Sequence, residues 1–273
     1  MCLKEKISFE FIDFDTNNCE EIKSLIVQRI ELECKKYSLL YPSDSLVFPK
    51  IIVTSNIKSS ALNFYRQNNF SENYITDIMT NRANWNTTVA LTLFGTSLSD
   101  GYIVLNANYY LRKNLHTIIH ELTHINDYHS FCQDNQLLTV KYEDFIKHPD
   151  FSTLYFLSEF RAHYRCASQI SSEELKEEFK WQHNTFSERQ QKAIASQQLE
   201  VFNYIVASFL GTSCSFIERC LTQSQQNTIL LSNKDDYLTV LQKLLYQIKS
   251  LSFSDASKYL NQLSSIMNSM IES

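Results

Sequence analysis

Glycine occupies only three of 273 positions, Gly95, Gly101 and Gly211, and proline only three more. Both residues are costly inside a helix, glycine through backbone entropy and proline through its ring and missing N–H. A chain nearly free of them can run long helices without interruption. The same scarcity removes phosphate-binding loops, because neither GxGxxG nor GxxxxGK[ST] can be drawn through those three glycines. Dinucleotide-binding and P-loop chemistry are therefore excluded at the level of motif.

With 44% hydrophobic and 20% charged residues, the chain has an ordinary soluble globular composition, and global disorder is excluded. Its length fits one large domain or two intimate ones. Thirty acidic against 25 basic residues leave a net charge of −5. No basic cluster exceeds the pair Lys35-Lys36, so the field that phosphate backbones demand is missing and no nucleic-acid partner is expected. Residues 1–14 alternate charged and apolar side chains and do not read as a signal peptide. The longest nearly apolar stretch, 201–210, is too short to cross a bilayer, so no membrane partner is expected. Seven cysteines, Cys2, Cys19, Cys34, Cys132, Cys166, Cys214 and Cys220, are odd in number and form no CxxC pair. That spacing argues against a disulfide framework or a cysteine-built zinc site and points to a reducing cytoplasm.

Hydrophobic periodicity divides the chain into a β-containing first part and a helical second part. Ile7, Phe9 and Phe11 alternate as in a strand. Ile22, Leu25, Ile26, Ile30 and Cys34 then recur as on a helix, opened by an Asn18–Glu21 capping box and ended by Tyr41-Pro42. Residues 50–54 read as a strand and 59–80 as helix. Residues 87–94 and 102–106 read as a hairpin with Asp100-Gly101 in the turn. From about 108 to 131 the positions Leu111, Leu115, Ile118, Leu122 and Ile125 mark a helix with one buried stripe. Helices follow over 152–169, 173–210, 235–248 and 254–271. The fold expected is α+β, with a small mixed sheet in residues 1–132 and a mostly α-helical part in 133–273.

His120-Glu121-Leu122-Thr123-His124 is an HExxH motif inside the helix just deduced. One turn separates the two histidines, so both imidazoles project from one face and can share a Zn2+ ion. Glu121 is then turned toward a metal-bound water, from which it can take a proton as general base. The bland reading is a surface helix with two solvated histidines. A catalytic zinc also needs a third protein ligand and an open position. The metzincin pattern fails, because Asp127 and Ser130 stand where glycine and histidine are required. Glu159 and His163, one turn apart on a downstream helix, remain as sources. Asp127 shares the ligand face and either orients a ligand, pairs with Arg161 or Arg165, or is a solvated helix-end acid. Tyr155 and Tyr164 are further donor candidates, with core packing as the favoured bland reading. His116 is read as structural or as a support behind a metal ligand, and His129, His148 and His183 as surface or packing residues.

Over residues 87–166 the chain resembles the gluzincin branch of the zincin metallopeptidases. There HExxH is followed by an ExxD or ExxA helix, and Glu159-Phe160-Arg161-Ala162 matches ExxA. It is also similar to the small intracellular metallopeptidases of the ImmA/IrrE kind. The resemblance implies a zincin-like N-terminal part, zinc held by His120, His124 and Glu159, and His163 as a nearby oxyanion-stabilising donor. It further implies an edge strand, placed at 102–106, that pairs with an extended protein or peptide substrate. The expected activity is hydrolysis of peptide bonds in a protein substrate. The alternative is a catalytically inactive zincin-fold protein that recognises a partner through its C-terminal helices. Zinc-dependent hydrolysis of a non-peptide carbonyl would use the same ligands.

Overall fold

The computed structural model describes residues 7–13, 19–42, 47–81, 85–110, 116–230 and 236–272. The chain divides into two compact units, Met1–His148 and Pro149–Ser273. The division falls beyond residue 132, which lies inside a helix, because Phe145 packs its ring against Tyr128, Phe131 and Tyr142 of the first unit. All described strands belong to the first unit and the second is helical, so the architecture is α+β.

In the first unit the order is β1 (Ser8–Ile12), α1 (Cys19–Leu40), β2 (Lys50–Thr54), α2 (Ile57–Gln67), α3 (Glu72–Asn81), β3 (Ala90–Phe94), β4 (Gly101–Asn106), α4 (Ala107–Tyr110), α5 (Thr117–Asp134) and α6 (Tyr142–Phe145). The four strands form one mixed sheet in the order β1-β2-β4-β3. β1, β2 and β4 run parallel, and β3 returns antiparallel to β4 in the hairpin. The two inner strands carry Ile51, Ile52, Val53, Ile103, Val104 and Leu105, all buried, which is the apolar run that a strand covered on both faces requires. Among the described strands β4 is thus central, and the sheet edge beside it belongs to β3. The expectation that 102–106 forms the edge is corrected: it is flanked by β2 on one side and β3 on the other.

α1 turns Ile26, Ile30, Cys34 and Tyr37 fully inward, but Leu25, expected on that face, stands in solvent. Its Asn18 cap lies outside the described residues. The helical reading of 59–80 resolves into α2 and α3, separated where Asn69 takes a left-handed backbone, φ 54°. The single helix expected over 108–131 is two, α4 and α5, with Leu111 and Leu115 outside the described residues.

The start of α5 is held from a distance. Its cap residue His116 makes no side-chain capping bond. Instead the buried carboxylate of Glu33, on α1, accepts the Ile118 N–H at 3.0 Å and the Tyr110 hydroxyl at 2.7 Å. Arg29 lies 3.5 Å away, donates to the Tyr110 carbonyl at 2.8 Å and rests over the Tyr110 ring. An anion at these first N–H groups neutralises both the orphan donors and the positive helix end. Burial nevertheless raises the Glu33 carboxyl above 4.5, with Tyr110, Arg29 and the backbone donors opposing that rise. A raised folded value means the native state binds the proton more tightly, so this contribution to stability is complete below 4.5 and is lost as pH rises through the higher value. Glu33→Gln is therefore expected to flatten the fall in stability above pH 4.5, and to cost about 1–3 kcal/mol because an amide cannot accept from every donor present. Urea titrations across that pH range would measure both effects, and an unchanged slope would assign the titration elsewhere.

The second unit comprises α7 (Phe151–Ala167), α8 (Ser172–Ala195), α9 (Leu199–Cys220), α10 (Gln223–Leu230), α11 (Tyr237–Ile248), α12 (Phe253–Ala256) and α13 (Leu260–Glu272). The helical pattern over 173–210 is broken at Gln197, φ 53°, so α8 turns back into α9. Ser171 and Glu174 form a reciprocal capping box at the start of α8. Packing in this unit centres on α9 against α7 and α8. The apolar stretch 201–210 belongs to that 22-residue helix, which is long and apolar enough to cross a membrane, yet 72% of its apolar window is buried inside the protein. It is a core helix, apolar because neighbours surround it. The buried Arg161 of α7 donates to the Leu251 carbonyl at 2.8 Å and lies over the Phe253 ring.

Candidate functional site

α5 carries the motif. Ile118, Leu122 and Ile125 are buried, but so are Ile119, Thr123, Asn126, Asp127 and Tyr128, so α5 is buried nearly all round and not along the single stripe expected, while one helical turn still brings His120 and His124 to one side. The Nε2 atoms of His120 and His124 stand 3.0 Å apart, their rings nearly perpendicular at 79°. Glu121 and His124 are buried, and His120 is half-buried. Two solvated histidines on a surface helix is therefore not what the fold presents. Burial lowers the His120 imidazole below its usual range against the opposing pull of Glu121, which favours the neutral form that ligates metals.

The Thr92 hydroxyl, on edge strand β3, donates to Glu121 Oε2 at 2.7 Å. The Glu121 carboxylate is thus oriented by β3, the edge strand among those described. Nothing in the local sequence singles out Thr92, because its relation to Glu121 arises from packing of β3 on α5. Asn126 anchors the same helix to the segment before β2, accepting the Val47 N–H at 2.8 Å. Asp127 is fully buried, which removes the solvated helix-end reading. His116 sits at the boundary of α5 as its cap residue.

In the second unit α7 places three polar side chains on one face at successive turns: Tyr155, Glu159 and His163. Glu159 is buried and accepts a hydrogen bond from the Tyr155 hydroxyl. Burial first, and the adjoining Glu159 second, push the Tyr155 phenol well above its ordinary value, so it remains a donor. His163 Nε2 lies 3.7 Å from Glu159 Oε2, while its Nδ1 is 3.4 Å from the Ser208 hydroxyl and its ring meets Tyr204 edge-on at 5.4 Å. Ser208 and Tyr204, both on α9, were not among the residues expected from sequence. Tyr164 is directed elsewhere, donating to Glu218 at 2.6 Å. Arg161 and Arg165 are buried.

Two of the other histidines lie among aromatic rings. His148 packs against Phe131 and Phe145, and His183 stacks on Phe179 and Phe209. His129 is half-buried, and its imidazole is lowered by that burial. Among the described residues, Cys34, Cys132, Cys214 and Cys220 are thiols outside any disulfide. No family model, curated protein or solved structure matches this chain.

Proposed function

We propose that this protein is a zinc-dependent metallopeptidase of gluzincin type, acting in the cytoplasm on a protein substrate. The observation that carries the reading is the pair His120 and His124, with Nε2 atoms 3.0 Å apart and Glu121 held beside them by Thr92. Two nitrogen ligands on a tetrahedral zinc stand about 3.3 Å apart at ordinary bond lengths, so the pair is close to a two-ligand arrangement already. Two neutral imidazoles and one carboxylate are a donor set that suits zinc. Glu159 of α7 supplies that carboxylate in this proposal, completing the site with His120 and His124.

Bound zinc would contribute Lewis acidity and lower the pKa of a water. Glu121 takes a proton from the attacking water and returns it to the leaving amine, so that a carbon–oxygen bond replaces the carbon–nitrogen bond. Thr92, donating to one carboxylate oxygen, leaves the other to receive the proton. The extended substrate pairs with β3, the edge strand among those described, by backbone hydrogen bonds. His163 donates to the developing oxyanion. A hydroxyl hydrogen bond from Ser208 to Nδ1 would keep the imidazole proton on Nε2, as that role requires.

Elemental analysis of the purified chain is expected to find a single zinc per molecule. His120→Ala and Glu159→Ala should lose it, while His163→Ala should retain it, with circular dichroism confirming folding in each. Zinc-free wild type after reconstitution would overturn the reading. Zinc lost only in His163→Ala and His120→Ala would transfer the third ligand from Glu159 to His163.

A further inference from the structure

Three leucines on α1 stand in solvent at seven-residue spacing: Leu25 is 57% exposed, Leu32 55% and Leu39 70%. Seven residues make about two helical turns, so the three lie along one line. The fold of the unit does not require them, because the opposite side of α1 already fills the core with Ile26, Ile30, Cys34 and Tyr37. Apolar side chains at heptad spacing on an exposed helix are the surface one helix presents to another.

The charges beside this line select the partner. Glu21 is exposed near the start of α1, and Lys36 is partly exposed near its end. At 3.6 residues per turn, Glu21, Leu25, Leu32 and Lys36 all project within a sector of about 60°. A two-fold axis crossing the helix between Gln28 and Arg29 sets Leu25 of one copy against Leu32 of the other. The same operation sets Glu21 against Lys36, and Gln28 against Arg29. One antiparallel register thus satisfies Leu25, Leu32 and the charged positions together, and leaves Leu39 beyond the contact. A parallel pair would instead oppose Glu21 to Glu21 and Lys36 to Lys36. We infer that α1 docks antiparallel on α1 of a second copy of this chain, with Leu25 and Leu32 forming the centre and Glu21–Lys36 pairs closing both ends.

Such an interface is isologous, each copy offering the same patch. A single helix pair lies at the small end of specific interfaces, so the dimer is weak and concentration-dependent. Its formation is independent of the metal site.

Sedimentation velocity of the full chain over a wide concentration range tests this. Wild type is expected to shift from monomer to dimer. Leu32→Glu, at a position that contributes nothing to the core, should weaken association at least about tenfold through the loss of two apolar contacts per dimer. Glu21→Lys and Lys36→Glu should each weaken it, and the two together should restore it, because the opposed charges are then exchanged and again complementary. Circular dichroism verifies that each variant keeps its helices. A wild type that stays monomeric up to its solubility limit would overturn the inference and leave the stripe for a different kind of partner. A dimer indifferent to Leu32→Glu, or a double charge variant weaker than both single ones, would overturn it equally.

Discussion

Glu121→Gln is expected to lower peptide hydrolysis by about 10²–10⁴-fold while leaving the zinc content and the fold unchanged. The amide occupies the same volume and can still accept from the Thr92 hydroxyl, which now meets Glu121 Oε2 at 2.7 Å. What it cannot do is hold a proton taken from water. His120 and His124 are untouched by the change, and their spacing follows from one turn of α5. Mass spectrometry of a peptide library incubated with each protein reads the rate, and elemental analysis of the same samples reads the metal. Loss of cleavage with retained zinc assigns the base to Glu121. Undiminished cleavage with retained zinc would assign it elsewhere. A wild type that binds zinc yet cleaves nothing would instead favour the inactive zincin-fold reading.

The legibility of this site followed from how local each part of it is. HExxH lies on one helix, so its two histidines and their apolar backing could be placed from the 3.6-residue period alone. β2 was readable to its ends for a similar reason: Ile51, Ile52 and Val53 form a short β-branched run behind Pro49. Strand order was not readable. Placing β4 between β2 and β3 depends on a parallel pairing between residues far apart in sequence, and the local pattern of 102–106 is the same at a centre or an edge. The interruptions at Asn69 and Gln197 were also hidden. Asparagine tolerates a left-handed backbone, but glutamine carries no such signal, and tertiary packing decides where α8 turns into α9. Thr92 and Ser208 escaped for the same reason, since each acquires its role only from a helix that packs against its own element.

Gly211→Ala is expected to destabilise the second unit even though alanine is the better helix former. In an exposed helix the exchange would gain about 1 kcal/mol. Here the added Cβ would stand 2.7 Å from the Phe160 carbonyl oxygen, 2.8 Å from His163 Cβ and 2.8 Å from the Tyr164 nitrogen. Two of those three neighbours are backbone atoms of α7, so no side chain can swing aside, and α7 or α9 must move. Overpacking of this kind costs about 1–3 kcal/mol and sometimes more. Allowing for the propensity gain, a net loss of about 1 kcal/mol lowers the melting temperature by roughly 2–4 °C in a chain of this size. The displaced turn of α7 is the one that carries His163, one turn beyond Glu159. In the proposed site, zinc affinity measured against a chelator should therefore fall along with the melting temperature. A variant as stable as wild type would mean that the close approach of α7 and α9 is relaxed at little cost. A less stable variant with unchanged zinc affinity would separate helix packing from the position of Glu159, leaving Gly211 a purely structural residue.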